Sequence, residues 1–408
     1  MDTLRHLYRI GHGPSSSHTM APRSAAETFL KENPDAARFE ITLYGSLAST
    51  GKGHFTDVAL FEVFGKDRLT ILWRPEIVPE YHPNGMLMRA LDAEGNEITQ
   101  RMIYSTGGGA LSLGPEDQEA ADVYPLTNMT DILNYLVESG KSYWEFVEEN
   151  EGPEIWDYLR EVKDVMYDSI ERGLNTEGVI PGGLGVSRKA PVFYRRGKLM
   201  NPTMASVARL TAYTLAVSEE NASGKEVVTA PTCGSCGVVP GILRYLQENL
   251  QLSDEIALKA LATAGVFGNV VKENGSISGA EVGCQGEIGV AAAMGAALAA
   301  YMYFCSVRQI EYAAEMALEH HLGLTCDPVN GLVQVPCIER NAFSVGTSLY
   351  VAEYVSFTDG SHMISFDQVV DVMVHTGIDM PAMYRETGTG GLAKSYARAK
   401  KKKKKEQN

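Results

Sequence analysis

At 408 residues, 44% hydrophobic and 21% charged, the chain has the composition of a folded protein of two or more domains and not of a disordered or fibrous one. Its formal net charge of −15 runs against the concentrated basic face that nucleic-acid binding needs. Residues 1–10 are interrupted by Arg5, His6 and Arg9 and read as no secretory signal, so the expectation is a cytoplasmic protein whose six cysteines are ligands, redox groups or small buried hydrophobes rather than disulfides.

The first distinctive stretch is GHGPSSSHTMAP, residues 11–22. Pro14 and Pro22 remove backbone donors and Gly11 and Gly13 loosen the chain, which predicts a loop. Its hydroxyls and amides suit an anionic group, and equally Ser17 or Thr19 can cap a helix through Ala25, Ala26, Phe29 and Leu30; the local sequence leaves both open. A helix is predicted over 23–32. Short β-rich runs with glycine turns follow at 39–49, 58–65, 69–74 and 95–109, then a helix at 130–139. GSLASTGKGH at 45–54 fails as a phosphate loop, because five residues separate Gly45 from Gly51 and Gly53 stands where Ser or Thr should follow Lys52. Residues 1–145 therefore read as an α+β domain.

From residue 142 strand-like runs nearly vanish. Helical patterns occupy 153–173, 203–220, 237–249, 253–271, 287–305, 308–322 and 342–356, separated by glycine-rich loops. This predicts a mainly α-helical domain over 150–393. Residues 288–307 include no charge but are rich in Ala and Gly, which favours a buried helix over a membrane span. The run from Lys394 to Lys405, with seven lysines and one arginine, predicts a solvated, disordered tail over 394–408.

Cys284, Cys326 and Cys337 lie in the loops VGCQGE, LTCDPVNG and QVPCIERN, spaced C-x41-C-x10-C. That is unlike the close pairs of a zinc ribbon, and spacing alone identifies no ligand. Cys284 precedes a long predicted helix, whose positive end favours thiolate and would stabilise an anionic iron–sulfur cluster. Three thiolates on four irons leave one iron open, a Lewis acid of the kind a dehydration needs.

Nine blocks together resemble the iron–sulfur-dependent L-serine dehydratases (L-serine ammonia-lyases) in their single-chain form: GPSSSHTMAP, STGKGHFTD, HPNGM, YSTGGG, IPGGL, EENASGKEVVTAPT, GSISGAEVGCQGEIGVAAAMGAA, EHHLGLTCDPVNGLVQVPCIERNAF and YRETGTGGLA. The similarity runs from Gly11 to Ala393. It implies conversion of L-serine to pyruvate and ammonia without pyridoxal phosphate, a [4Fe-4S] cluster on Cys284, Cys326 and Cys337, a beta-type domain at 1–145 and an alpha-type catalytic domain at 150–393 carrying the cluster. Two departures stand out. Where relatives commonly have Asn-Gly-Ala-Ala after TAPT, this chain has Cys233-Gly-Ser-Cys236, which reads as a loop-packing variant before a fourth ligand or redox switch. Some relatives end in a cysteine able to reach the open iron, and this chain ends in lysines. Cys305 reads as core.

A base near neutral pH is most naturally histidine. His6, His12 and His375 have surface-like neighbours, and His320 and His321 read as helix caps or partners of the Cys326 region. His18, His54 and His82 lie in glycine or proline loops within the resembling blocks. The resemblance makes His82 the leading base and His18 its orienting partner, with the reverse assignment open. Asn84 offers an amide beside His82. Ser15, Ser16, Ser17 and Thr19 would hold the substrate carboxylate at the domain interface, with Lys52, Arg188 and Lys189 as further candidates. The expected partner is the small molecule L-serine, with no nucleic acid and no membrane, and the expected assembly is a homodimer. The competing reading is an iron–sulfur redox or electron-transfer protein with a fully ligated cluster. A serine hydrolase built on Ser16 and His18 lacks a nucleophile elbow.

Overall fold

The computed structural model describes residues 1–115, 122–388 and 390–406, with side chains described through residue 403. Two hydrophobic cores organise the chain. The smaller forms around a five-stranded sheet. After β1 (Ile10–His12) come α1 (Ala21–Glu32), β2 (Arg38–Tyr44), α2 (Gly45–Thr50), α3 (Thr56–Phe64), β3 (Leu69–Arg74), β4 (Gly85–Leu91), β5 (Glu97–Gly107) and β6 (Ala110–Ser112). The sheet order is β3-β2-β4-β5-β6, with β2 and β3 parallel and the other pairs antiparallel. A parallel pair needs a crossover, and α2 with α3 supplies it. Phe39, Ile41 and Leu43 sit opposite Ala90, Met88 and Met86, and alternation sends all six to one face against Phe29, Leu60 and Phe64.

The larger core is helical. It is built from α4 (Met129–Ser139), α5 (Tyr143–Glu151), α6 (Ile155–Leu174), α7 (Ala190–Gly197) and α8 (Pro202–Ala222), then β7 (Glu226–Val228), α9 (Val238–Leu250), α10 (Asp254–Asn274), α11 (Gly279–Val282), α12 (Ile288–Met302), α13 (Val307–Glu319), α14 (Cys337–Ser356), α15 (Phe366–Asp379) and α16 (Gly391–Glu406). Every residue of α12 except Tyr301 is buried, because its Ala and Gly side chains let α9, α10, α13 and α14 pack against it on all sides. Among the described residues, no single helix is long and apolar enough to cross a membrane.

The α+β character of the first part and the helical character of the rest agree with the sequence. Three differences have physical causes. Residues 58–65, expected as a strand from their β-branched and aromatic content, belong to α3, whose buried Thr56, Ala59, Leu60 and Phe64 follow helical spacing. Met1, Leu4, Leu7 and Tyr8, with Tyr124 to Val147, lie in the helical core, and the sheet core draws only on residues 25–103. β1 pairs with β7, so the chain starts in the helical part, leaves to build the sheet, and returns. The lysine run, expected to be unstructured, continues α16 to Glu406, as a stretch of Lys, Ala and Arg without Gly or Pro permits; residues 407–408 lie outside the described residues.

Where α6 crosses α8, a Cβ on Gly173 would stand 2.4 Å from Ala216 O. Gly173→Ala should therefore lower stability by about 1–3 kcal/mol. Gly346→Ala, on the exposed side of α14 with nothing within 4 Å, should raise it by up to about 1 kcal/mol. Urea unfolding of the two variants checks both signs.

Candidate active site

The serine loop is not an open loop. Met20 N–H bonds Ser15 O at 3.0 Å, five residues back, so Ser16–Met20 is one π-helical turn that runs into α1. Ser15, and not Ser17 or Thr19, is its cap: the Ser15 hydroxyl accepts from His18 N at 3.0 Å. The hydroxyls of Ser17 and Thr19 are also spent inside the protein, and buried Ser16 stands in the same turn. Ser17 Oγ lies 2.8 Å from His18 Nδ1, and Thr19 Oγ1 donates to His54 O at 2.6 Å. The segment is held to the helical part through Asn221, whose Nδ2 donates to Pro14 O at 3.0 Å. A Cβ on Gly13 would meet Asn221 O at 2.6 Å, so only glycine fits there.

This scaffolding places His18 beside His54. Both rings are fully buried, with centroids 4.6 Å apart, and Thr56 Oγ1 donates to His18 O at 2.5 Å, the counterpart of the Thr19 bond to His54. His18 Nε2 lies 3.1 Å from Ser46 Oγ. Neither ring nitrogen of His54 has a partner. Burial pulls both imidazoles down, His18 to about 4 and His54 well below its ordinary value.

His82 is 7% exposed. Its Nδ1 accepts from Asn84 N at 3.1 Å, so the neutral ring carries its proton on Nε2, which faces Glu281 Oε1 at 3.8 Å. That makes His82 a donor. Asn84 Nδ2 donates to Ser105 O at 3.3 Å, and Asn84 Oδ1 is buried without a partner.

The cysteines converge from three directions. Cys284 sits in a short turn before α12, Cys326 in the loop after α13, and Cys337 is the first residue of α14. The sulfurs of Cys284 and Cys326 lie 3.8 and 3.9 Å from Glu287 Oε2, and the donor atoms of these three residues all fall within 4.8 Å of one another. Cys337 is close enough to feel them: burial, then Cys284 and Glu287, push its thiol well above the ordinary value. Three soft donors with a cation beside them suit an iron–sulfur group; Arg340 supplies the cation, at 3.7 Å from Asp327 and donating through Nη1 to Thr325 O, next to Cys326. Glu287 also accepts from Thr232 Oγ1 at 2.8 Å.

The two halves of the site touch. A Cβ on Gly53, next to His54, would be 2.8 Å from Gly331 O in the Cys326–Cys337 loop. Glu386 offers a carboxylate oxygen within 4.8 Å of His18 and His54 nitrogens, while Glu287 and Cys284 reach it electrostatically. Burial, then Glu287 and Cys284, push its carboxyl well above the usual range.

Scans against known families place this arrangement. The description "Serine dehydratase beta chain" matches residues 3–67 and "Serine dehydratase alpha chain" matches residues 86–393. The chain belongs to the serine dehydratase family. Among its relatives, an L-serine dehydratase of Streptomyces coelicolor is 39% identical over 445 aligned residues, covering 95% of this chain and 97% of its own. L-serine dehydratase 1 of Escherichia coli is 38% identical, covering 96% and 99%, and an L-serine dehydratase of Helicobacter pylori is 34% identical, covering 95% and 98%.

The further candidate cations have partners of their own: Lys52 lies over the Trp73 ring, Arg188 pairs with Glu220 at 2.8 Å and Lys189 with Glu339 at 2.8 Å. Cys233 is buried 3.7 Å from Met20 Sδ, and burial pushes both C-x-x-C thiols up. Cys305 is half-buried just beyond the end of α12 rather than inside it. Sequence reasoning passed over Glu287, Arg340, Arg385 and Glu386, although CQGE, CIER and YRET stand in the very blocks that carried the resemblance.

The depressed His18 gives a pH signature. An unfolded histidine takes up a proton below about pH 6.5 and buried His18 only near 4, so the native state loses stability as pH falls between those values. For this residue the loss between pH 8 and pH 5 should reach about 2 kcal/mol. Denaturant titrations of the parent and of His18→Gln at both pH values measure it as the difference in slope.

Proposed function

We propose that the chain converts L-serine to pyruvate and ammonia, with a [4Fe-4S] cluster held by Cys284, Cys326 and Cys337. The reading is carried by Cys284 and Cys326 grouped around Glu287, with Cys337 near enough to feel them, and by the contact of Gly53, next to buried His54, with Gly331 between Cys326 and Cys337. The relatives' names, L-serine dehydratase throughout, agree with it. When bound, such a cluster supplies an iron without a protein thiolate, a Lewis acid for the departing hydroxyl.

The chain's own residues account for the rest. Hydrogen bonding favours His54 over His82 as the group that removes the α-proton: His82 Nδ1 is occupied by Asn84 N, while His54 is the imidazole with free nitrogens. Burial keeps His54 neutral and so ready to accept a proton. His18, fixed between Ser17 and Ser46, sets the position of His54, and His82 donates from Nε2 toward the substrate side. Ser15, Ser17 and Thr19 act as the frame of these imidazoles. Closeness matters more than basicity here, because the α-proton is far less acidic than any imidazolium. Loss of the proton and of hydroxide from serine leaves 2-aminoacrylate, which tautomerises to the imine and adds water to give pyruvate and ammonia.

Anaerobic reconstitution with iron and sulfide should yield brown protein that forms pyruvate from L-serine. Cys326→Ser should lose both the visible absorbance and turnover. His54→Gln should keep the absorbance and lose about 10²-fold or more in kcat. Full turnover by colourless, iron-free protein would overturn the cluster assignment, and unchanged kcat in His54→Gln the base assignment.

A further inference from the structure

A cavity of about 430 Å³ opens beside the paired imidazoles, and its lining includes Ser46, Ser49, Ala280, Arg385 and Glu386. Ser46 is the residue that holds His18 Nε2, so the cavity lies one side chain away from the paired imidazoles. Two neighbouring residues give it a guanidinium and a carboxyl. Arg385 bonds Glu281 O through Nη1 at 3.2 Å, while its buried Nε has no partner. Glu386 places a carboxyl oxygen within 4.8 Å of nitrogens of both His18 and His54.

The backbone presents this pair rigidly. Cys326 N donates to Tyr384 O and Glu386 N to Cys326 O, both at 2.7 Å, which ties residues 384–386 to the cysteine loop. Glu386 adopts φ 55°, a left-handed conformation that costs a residue with a Cβ and is kept where surroundings impose it. A bend at that point lets consecutive side chains share one cavity.

We infer that Arg385 and Glu386 form the recognition pair for a zwitterionic α-amino acid, the guanidinium taking the carboxylate and the carboxylate of Glu386 taking the ammonium. The inference rests on the proposed serine chemistry and adds its specificity. An ammonium next to Glu386 has a carboxyl oxygen to bond and lies on the side of the paired imidazoles. Because ammonium and α-hydrogen share one carbon, holding the ammonium within reach of Glu386 also delivers the α-hydrogen to His54. A hydroxy acid without the amine, or an amide without the carboxylate, satisfies only half of the pair. The side-chain hydroxyl of the substrate is left to face the cysteines.

The test uses the full chain reconstituted anaerobically, with calorimetric binding of L-serine, L-glycerate and L-serinamide alongside steady-state kinetics. The parent protein should bind L-serine at least about tenfold more tightly than either analogue. Glu386→Gln should raise KM for L-serine at least about tenfold and abolish the preference over L-glycerate, and Arg385→Gln should abolish the preference over L-serinamide, each with the visible spectrum and iron content of the parent. A purely structural role for either residue would shift all three ligands together. Equal binding of the three ligands by the parent, or retained preferences in both variants, overturns the inference. A parent that prefers L-serine in binding but forms no pyruvate would refute the proposed reaction and leave the recognition pair standing.

Discussion

Two reciprocal hydrogen bonds govern the site: Thr19 Oγ1 to His54 O and Thr56 Oγ1 to His18 O. Each threonine ties down the peptide unit of the other segment's histidine, so the imidazoles cannot separate without stranding buried carbonyls. With both rings out of water, neither holds a proton near neutrality. An uncharged pair can sit beside the Glu386 carboxyl and keep one ring free to accept a proton. The serine-rich turn is the frame for this arrangement, with the hydroxyls of Ser15, Ser17 and Thr19 bonded within it.

The frame is anchored at three places. β1 pairs with β7, Pro14 O is held by Asn221, and Gly53 abuts the backbone of Gly331. Each contact joins a residue of the N-terminal segment or the sheet part to the helical part, and each is close enough that a side chain or a displaced loop would open it. The candidate site is thus a product of how two separately cored parts meet.

Much of this was legible beforehand. The change near residue 142 from short β runs to helical periodicity is a property of the apolar pattern and survives in the fold. The three cysteines were singled out by the family-like blocks around them and by the place of Cys284 before a helix, not by their spacing. The α3 helix was misread because Val58, Phe61 and Val63 favour strands locally, whereas its burial follows the helical face that covers the sheet; tertiary packing overrode propensity. The direction of hydrogen bonding at His82 could not be read at all, since it depends on a backbone N–H two residues on. Glu287 and Glu386 lay within recognised blocks, yet a carboxylate in a glycine-rich loop gives no periodic signal, and only the folded chain shows it among cysteines.

The clasp over the Cys326 loop includes Leu392 N, which donates to Asp327 Oδ2 at 2.5 Å. A Cβ on Gly391 would collide with the same carboxylate, at 1.8 Å. The wall beside the paired imidazoles thus comes from a stretch far later in the sequence than the histidines it covers. Local opening of either stretch bares the other to solvent, so two remote segments protect one another as a single unit.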